Sequence, residues 1–328
     1  MLFNKVDSNS KITVEDKLLN NFKKNIHKIN VISPLNNKTS IFNKTLNYAI
    51  NEGKKVLYII NKDVLEVLNG EINYLHESTD SIYNKKINVC KHNIALYLDY
   101  KFDLIIYDEI NSKAMFSRES VEKLLVSKCS NYGTMISYSM EKILDDGLSI
   151  YNLKNDFRVP LVEPRVITTR INLEDGIPSV VYEYLKWSIN SNNKVLIYVP
   201  QDDKVDIIYE RLKEIKEKLT ENIVRRKKYE GERRLIKFLI AEEGILVTDD
   251  YMEEHIGLKP VNIMVFFSDS SQFSYKELVC IASRVNRVLK NSREEVIFIC
   301  NNETAEIDKC RSILRELNKK AWEEGYFE

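Results

Sequence analysis

Phe102-Asp103-Leu104-Ile105-Ile106-Tyr107-Asp108-Glu109 is a short apolar run that ends abruptly in two carboxylates. A continuous run of this length reads as a strand buried on both faces, the mark of a parallel sheet. In open α/β sheets, ligands gather at the carboxyl ends of the strands. Two acids at such an end are costly unless paired, and Mg²⁺ on a nucleotide is a common partner. A strand-end pair that caps the next helix is the structural alternative.

The rest of the chain repeats the pattern. Apolar, β-rich runs are predicted at Ile29–Ser33, Lys55–Ile60, Ile87–Cys90, Leu104–Tyr107 and Thr134–Ser137. They continue at Val166–Arg170, Lys194–Val199, Gly244–Val247, Val261–Phe267 and Glu295–Cys300. Helical periodicity lies between them, as in Ile41–Glu52 and Val205–Lys218. Strand–helix alternation predicts parallel sheets with helices on both faces. Asn155–Pro164 lacks periodicity and holds Pro160 and Pro164, so it is the linker candidate. The expected domains are 1–160 and 161–328.

Composition narrows the class. The chain has 328 residues, 44 % of them hydrophobic, enough for a large core. Its net charge is zero, which gives no global signal for nonspecific nucleic-acid binding. The basic run Arg225-Arg226-Lys227-Lys228 reads as a solvated face. No apolar run has the length of a membrane span, and Met1-Leu2-Phe3 is followed by polar residues rather than a secretory signal. Five scattered cysteines without a Cys-x-x-Cys pair argue against zinc and disulfides, and read as core thiols in a reducing cytoplasm.

Ser33-Pro34-Leu35-Asn36-Asn37-Lys38-Thr39-Ser40 joins the first strand to the first helix, where a phosphate loop would sit. Lys38 suits the β/γ-phosphates and Thr39 the Mg²⁺ ion. Asn36 and Asn37 stand where such loops carry glycine, and Asn is the side chain that best tolerates positive φ. A Lys beside a helix N-cap is the bland alternative. In the same scheme Asp108 holds Mg²⁺ through water and Glu109 orients or deprotonates the attacking water. Arg284 and Arg287, at i and i+3, are expected to share a helix face and clamp a γ-phosphate, or else to be exposed ion-pairing residues. Lys-Thr, Asp-Glu, a Ser-x-Ser turn and Arg-x-x-Arg follow one another in the layout of a two-lobed helicase motor.

In this order the chain resembles superfamily 2 helicases, and specifically the ComFA family of bacterial competence ATPases. The resemblance is carried by Phe102–Glu109, Met135-Ile136-Ser137-Tyr138-Ser139, Phe157–Pro164, Gly244–Thr248 and Phe273–Arg287. It implies two tandem RecA-like lobes, ATP and Mg²⁺ as cofactors (the scattered cysteines arguing against zinc), and coupling of hydrolysis to motion at Ser137 and Ser139. It also implies single-stranded DNA as partner, together with DNA-uptake proteins at the inner membrane face, and a cytoplasmic or peripheral location. It identifies no DNA-binding residues. The family's four-cysteine zinc module is absent, as are its phosphate-loop glycines. Cys280, Ser283 and Asn286 replace its Gln and two Gly, and Glu253-Glu254-His255 replaces Glu-Arg-Gly. Two functions compete: a DNA-dependent ATPase, and a pseudo-helicase that keeps the shape as a DNA- or protein-binding scaffold. An unrelated α/β metabolic enzyme is a third, against which the paired arginines speak.

Overall fold

The computed structural model describes residues 13–34, 39–61, 71–112, 116–153, 159–215, 219–251, 261–285 and 294–326. The chain divides into two compact units, Met1–Leu153 and Lys154–Glu328, whereas the sequence places the border at residue 160. Both units are α/β with parallel sheets, as the alternation predicts.

The first unit opens with α1 (Val14–Lys23) and β1 (Lys28–Ile32). It continues through α2 (Asn43–Asn51), β2 (Val56–Ile60), β3 (Ile72–Tyr74), β4 (Ile87–Cys90) and α3 (His92–Tyr97). β5 (Phe102–Asp108), α4 (Arg118–Lys128), β6 (Cys129–Ser139) and β7 (Leu148–Tyr151) complete it. The seven strands lie in the order β3-β4-β2-β5-β6-β1-β7, every pair parallel. The order steps one way from β1 to β3 and back from β3 to β7. Right-handed crossovers therefore carry α2 to one face and α3 and α4 to the other. β5 lies mid-sheet, and a core of Leu57, Ile59, Ile105, Tyr107, Leu124 and Met135 packs on the α3/α4 side.

The second unit holds β8 (Arg165–Thr168), α5 (Ser179–Asn190), β9 (Lys194–Tyr198), α6 (Asp202–Glu214), β10 (Ile223–Arg226) and α7 (Arg233–Ile240). It ends with β11 (Gly244–Thr248), β12 (Val261–Phe266), α8 (Tyr275–Ala282), β13 (Val296–Cys300) and α9 (Ala305–Glu323). Its six strands, in the order β10-β11-β9-β12-β13-β8, are again all parallel. Val181, Leu185, Val205, Ile208 and Leu212 of α5 and α6 pack on Val195, Ile197, Ile245, Val247 and Met264.

All ten predicted strands are present. Three more, β3, β7 and β10, are edge strands of four residues or fewer, none of them buried throughout. An edge strand needs no continuous apolar run, so nothing in its sequence announces it. The basic run is corrected accordingly. Arg225 and Arg226 belong to β10, and Arg226 is buried in an ion pair with Asp250 at 2.8 Å. Arg225 and Lys227 pair with Asp206 of α6. The predicted helix Ile41–Glu52 begins instead as a 3₁₀ turn, Thr39–Phe42, before α2. All five cysteines are buried thiols, and burial pushes the Cys90 thiol up to about 12. Among the described residues no helix is long and apolar enough to cross a membrane.

The β5/β6 register slips between Phe102 and Leu104, and Gly133 sits inside that bulge. A Cβ at Gly133 would lie 2.7 Å from both the Phe102 carbonyl oxygen and the Cys129 Sγ. Gly133→Ala is expected to cost about 1–3 kcal/mol by overpacking, read as a lower urea midpoint at unchanged m-value. An unchanged midpoint would mean that the bulge yields freely.

Candidate functional site

The candidate site is the carboxyl edge of the first sheet. β1 delivers Ser33, fully buried, whose hydroxyl donates to the Asn152 carbonyl at 2.9 Å and whose amide donates to Ser139 O at 2.9 Å. Asn36, Asn37 and Lys38 lie outside the described residues. Thr39, buried, opens the 3₁₀ turn that follows. At the end of that turn Phe42 is completely buried, edge-on to Tyr138 at 5.2 Å and to Tyr58 at 6.2 Å. An aromatic floor therefore lies beneath the Asp108 end of β5.

Asp108 and Glu109 are both buried, at 0 % and 1 % exposure. Tyr58 Oη donates to Asp108 Oδ2 at 2.6 Å. The Asn111 amide donates to Oδ1 at 2.9 Å, and its Nδ2 spans both oxygens at 3.2 and 3.1 Å. A carboxylate offers about four acceptor positions, and three donors share those of Asp108. Burial, and then the adjacent Asp108 charge, push the Tyr58 hydroxyl well above its usual range, which keeps it protonated as a donor. The loop beyond is tied back as well. Ser112 Oγ donates to the Asp108 carbonyl, and Asn61 N donates to Ser112 Oγ at 3.0 Å.

This arrangement bears on the Mg²⁺ role expected of Asp108. Holding the ion through water requires a lone pair that can accept from that water. Both oxygens of Asp108 already accept from Tyr58 or Asn111, so a water held for a metal would compete with these donors. Glu109 enters the same buried layer. Its charge, after burial, raises the pKa of Tyr107, and its backbone N–H donates to Tyr138 O at 2.9 Å.

Ser137 and Ser139 are likewise engaged within the unit. Ser137 Oγ donates to Asn30 Oδ1 at 2.8 Å, and the same oxygen accepts from Ile143 N and Leu144 N at 3.0 and 2.8 Å. Asn30 Nδ2 donates to Leu144 O at 2.9 Å. Ser139 Oγ donates to Glu141 O at 2.5 Å. Asn30 is thus a hub that sequence reasoning missed. Its signal is an amide in the middle of the apolar run Ile29-Asn30-Val31-Ile32.

In the second unit α8 is fixed by a capping box, Ser274 with Glu277, and ends at Ala282. Arg284 therefore stands in the turn after the helix and not on its face, which corrects the expected i, i+3 helical pair. Its Nη1 donates to Tyr198 Oη at 3.1 Å, at the carboxyl end of β9. Arg287 and Glu253-Glu254-His255 lie outside the described residues. The segment expected to join the lobes lies against α9 where it is described. Leu161 exchanges hydrogen bonds with the Asn318 side chain at 2.8 and 2.9 Å, and Glu163 pairs with Arg315 and Arg311. Arg315 first, against a burial penalty, holds the Glu163 carboxyl below its usual range.

No protein-family model and no curated protein matches the chain. Among solved structures, one of RecG bound to a three-way DNA junction is similar at 12 % identity, with a TM-score of 0.48. The match covers 93 % of this chain and 45 % of that one, so the chain spans under half of its length. An activity does not follow from a likeness of this degree.

His92 gives the site a measurable pH signature. Its ring is buried, stacks on Phe116 at 3.8 Å and meets Tyr107 Oη at 3.1 Å. Burial lowers its pKa below the ordinary 6.5. The unfolded chain then takes up this proton first, so stability held above pH 6.5 is lost as pH falls through the lower, folded value. His92→Gln is expected to flatten the fall of unfolding free energy between about pH 7 and 5. Parallel slopes for the two proteins would show that the ring is not neutral by burial.

Proposed function

We infer that the chain is a helicase-like, nucleic-acid-binding protein that hydrolyses ATP slowly or not at all. The observation that carries this reading is the Asp108 carboxylate, whose two oxygens accept from Tyr58 and Asn111. Hydrogen bonds to a buried charge contribute about 1.5–3 kcal/mol each, and a metal would have to displace them. The resemblance to the competence ATPases supports single-stranded DNA as the polymer. It also supports a place beside DNA-uptake proteins at the cytoplasmic face of the membrane. Any nucleotide would rest on Asn36, Asn37, Lys38 and Thr39.

A working DNA-dependent ATPase is the second reading. It is supported by residue types retained where the motor chemistry needs them: Lys38, Glu109, Arg284 and Arg287. Glu109 would then act on the attacking water, and the two arginines on the γ-phosphate.

ATP turnover with and without oligo-thymidylate, measured beside Lys38→Ala, separates the two. The expected result is turnover no greater than that of Lys38→Ala, with oligo-thymidylate still bound and released by added salt. Lys38-dependent turnover stimulated about tenfold or more by the oligonucleotide would overturn the proposal in favour of a motor.

A further inference from the structure

We propose that the outward face of α7 is a docking surface for an acidic amphipathic helix of a partner protein. α7 follows the edge strand β10 and buries Leu235 and Phe238. Arg233, Ile236, Lys237 and Ile240 recur at i, i+3, i+4 and i+7 along its opposite face, and all four are exposed. Ile236 is 51 % exposed and Ile240 78 %, and in the turn before the helix Tyr229 is 93 % exposed. An aliphatic seam one turn long thus faces water beside two cations.

The charges identify the occupant. Arg225, Arg226 and Lys227 are matched by Asp206 and Asp250, and Arg234 by Glu230. Among the described residues Arg233 and Lys237 form no ion pair. Arg233 and Arg234 also stand in the first turn of a helix that lacks a side-chain cap, where the macrodipole disfavours cations. The acids nearby are Glu230, which is paired, and Glu232 and Glu242, which stand before and beyond the helix. A partner helix with leucines spaced one turn apart and glutamates beside them would cover the isoleucines and neutralise the two cations. Nucleic acid fits less well, because bases stack on π-faces and the seam, Tyr229 apart, is aliphatic. A membrane surface fits less well, because two side chains on a two-turn helix bury little apolar area.

The test uses the full chain and a fluorescent synthetic peptide about five turns long, with leucines on one face flanked by glutamates. Saturable binding is expected. It should weaken about tenfold or more in Ile240→Glu and in the double variant Arg233→Glu/Lys237→Glu, and should weaken with added salt. A counterpart peptide with lysine for glutamate should not bind. These side chains are exposed, so an unchanged circular dichroism spectrum and melting temperature should accompany the loss. The proposal is overturned if the acidic peptide does not saturate, or if its affinity is indifferent to the variants. It is also overturned if the variants abolish binding of oligo-thymidylate or phosphatidylserine vesicles while the peptide is ignored. Sedimentation showing self-association of the wild-type chain that Ile240→Glu abolishes would replace the partner helix with a second copy.

Discussion

The Asp108 carboxylate stands at the end of the central strand β5, wholly out of water, and the surrounding structure is arranged to accommodate it. An ionised group in such a place is prohibitively costly unless hydrogen-bonded. The sheet brings Tyr58 to it from β2, and the turn after β5 brings the amide and side chain of Asn111. Ser112 and Asn61 then close the loop over the strand end. Phe42, Tyr58 and Tyr138 fill the space beneath the loop in edge-on contact. As an acceptor, this carboxylate orders its own surroundings.

The same economy recurs across both units. Parallel strands buried on two faces leave little room for polar atoms, and three buried asparagines there are satisfied internally. Asn30 binds Ser137 and the backbone of 143–144. Asn88 in β4 donates to Val56 O, and Asn262 in β12 joins Ser188 to the Glu295 amide. At the carboxyl edge of the second sheet, Arg226 meets Asp250 and Arg284 meets Tyr198. Breaking a buried ion pair by removing one partner costs about 3–5 kcal/mol, so this edge is fixed by charge as well as by packing.

The strands of this fold were legible because burial on both faces demands uninterrupted apolar residues, as in Leu104–Tyr107 and Val261–Phe266. β3, β7 and β10 were not, because an edge needs only partial cover and tolerates Asn73, Ser149 or Arg225. The site was legible in residue type and not in use. Asp108 and Glu109 announce themselves as acids at a strand end. Their partners lie elsewhere: Tyr58 is hidden in the apolar run Val56–Ile60. Register supplies the missing step, since Ile60 pairs with Asp108 and Tyr58, two residues earlier, points to the same face. The end of α8 at Ala282 was likewise invisible, because Ser283-Arg284 carries no Gly or Pro to stop a helix.

The account stands on the bond between Tyr58 and Asp108, and a double-mutant cycle measures it directly. Urea unfolding of the wild type, Tyr58→Phe, Asp108→Asn and the double variant gives the coupling energy. A favourable coupling of about 1–2 kcal/mol is predicted, with each single change destabilising. Additive effects, or an Asp108→Asn protein as stable as the wild type, would contradict a structural role for this carboxylate.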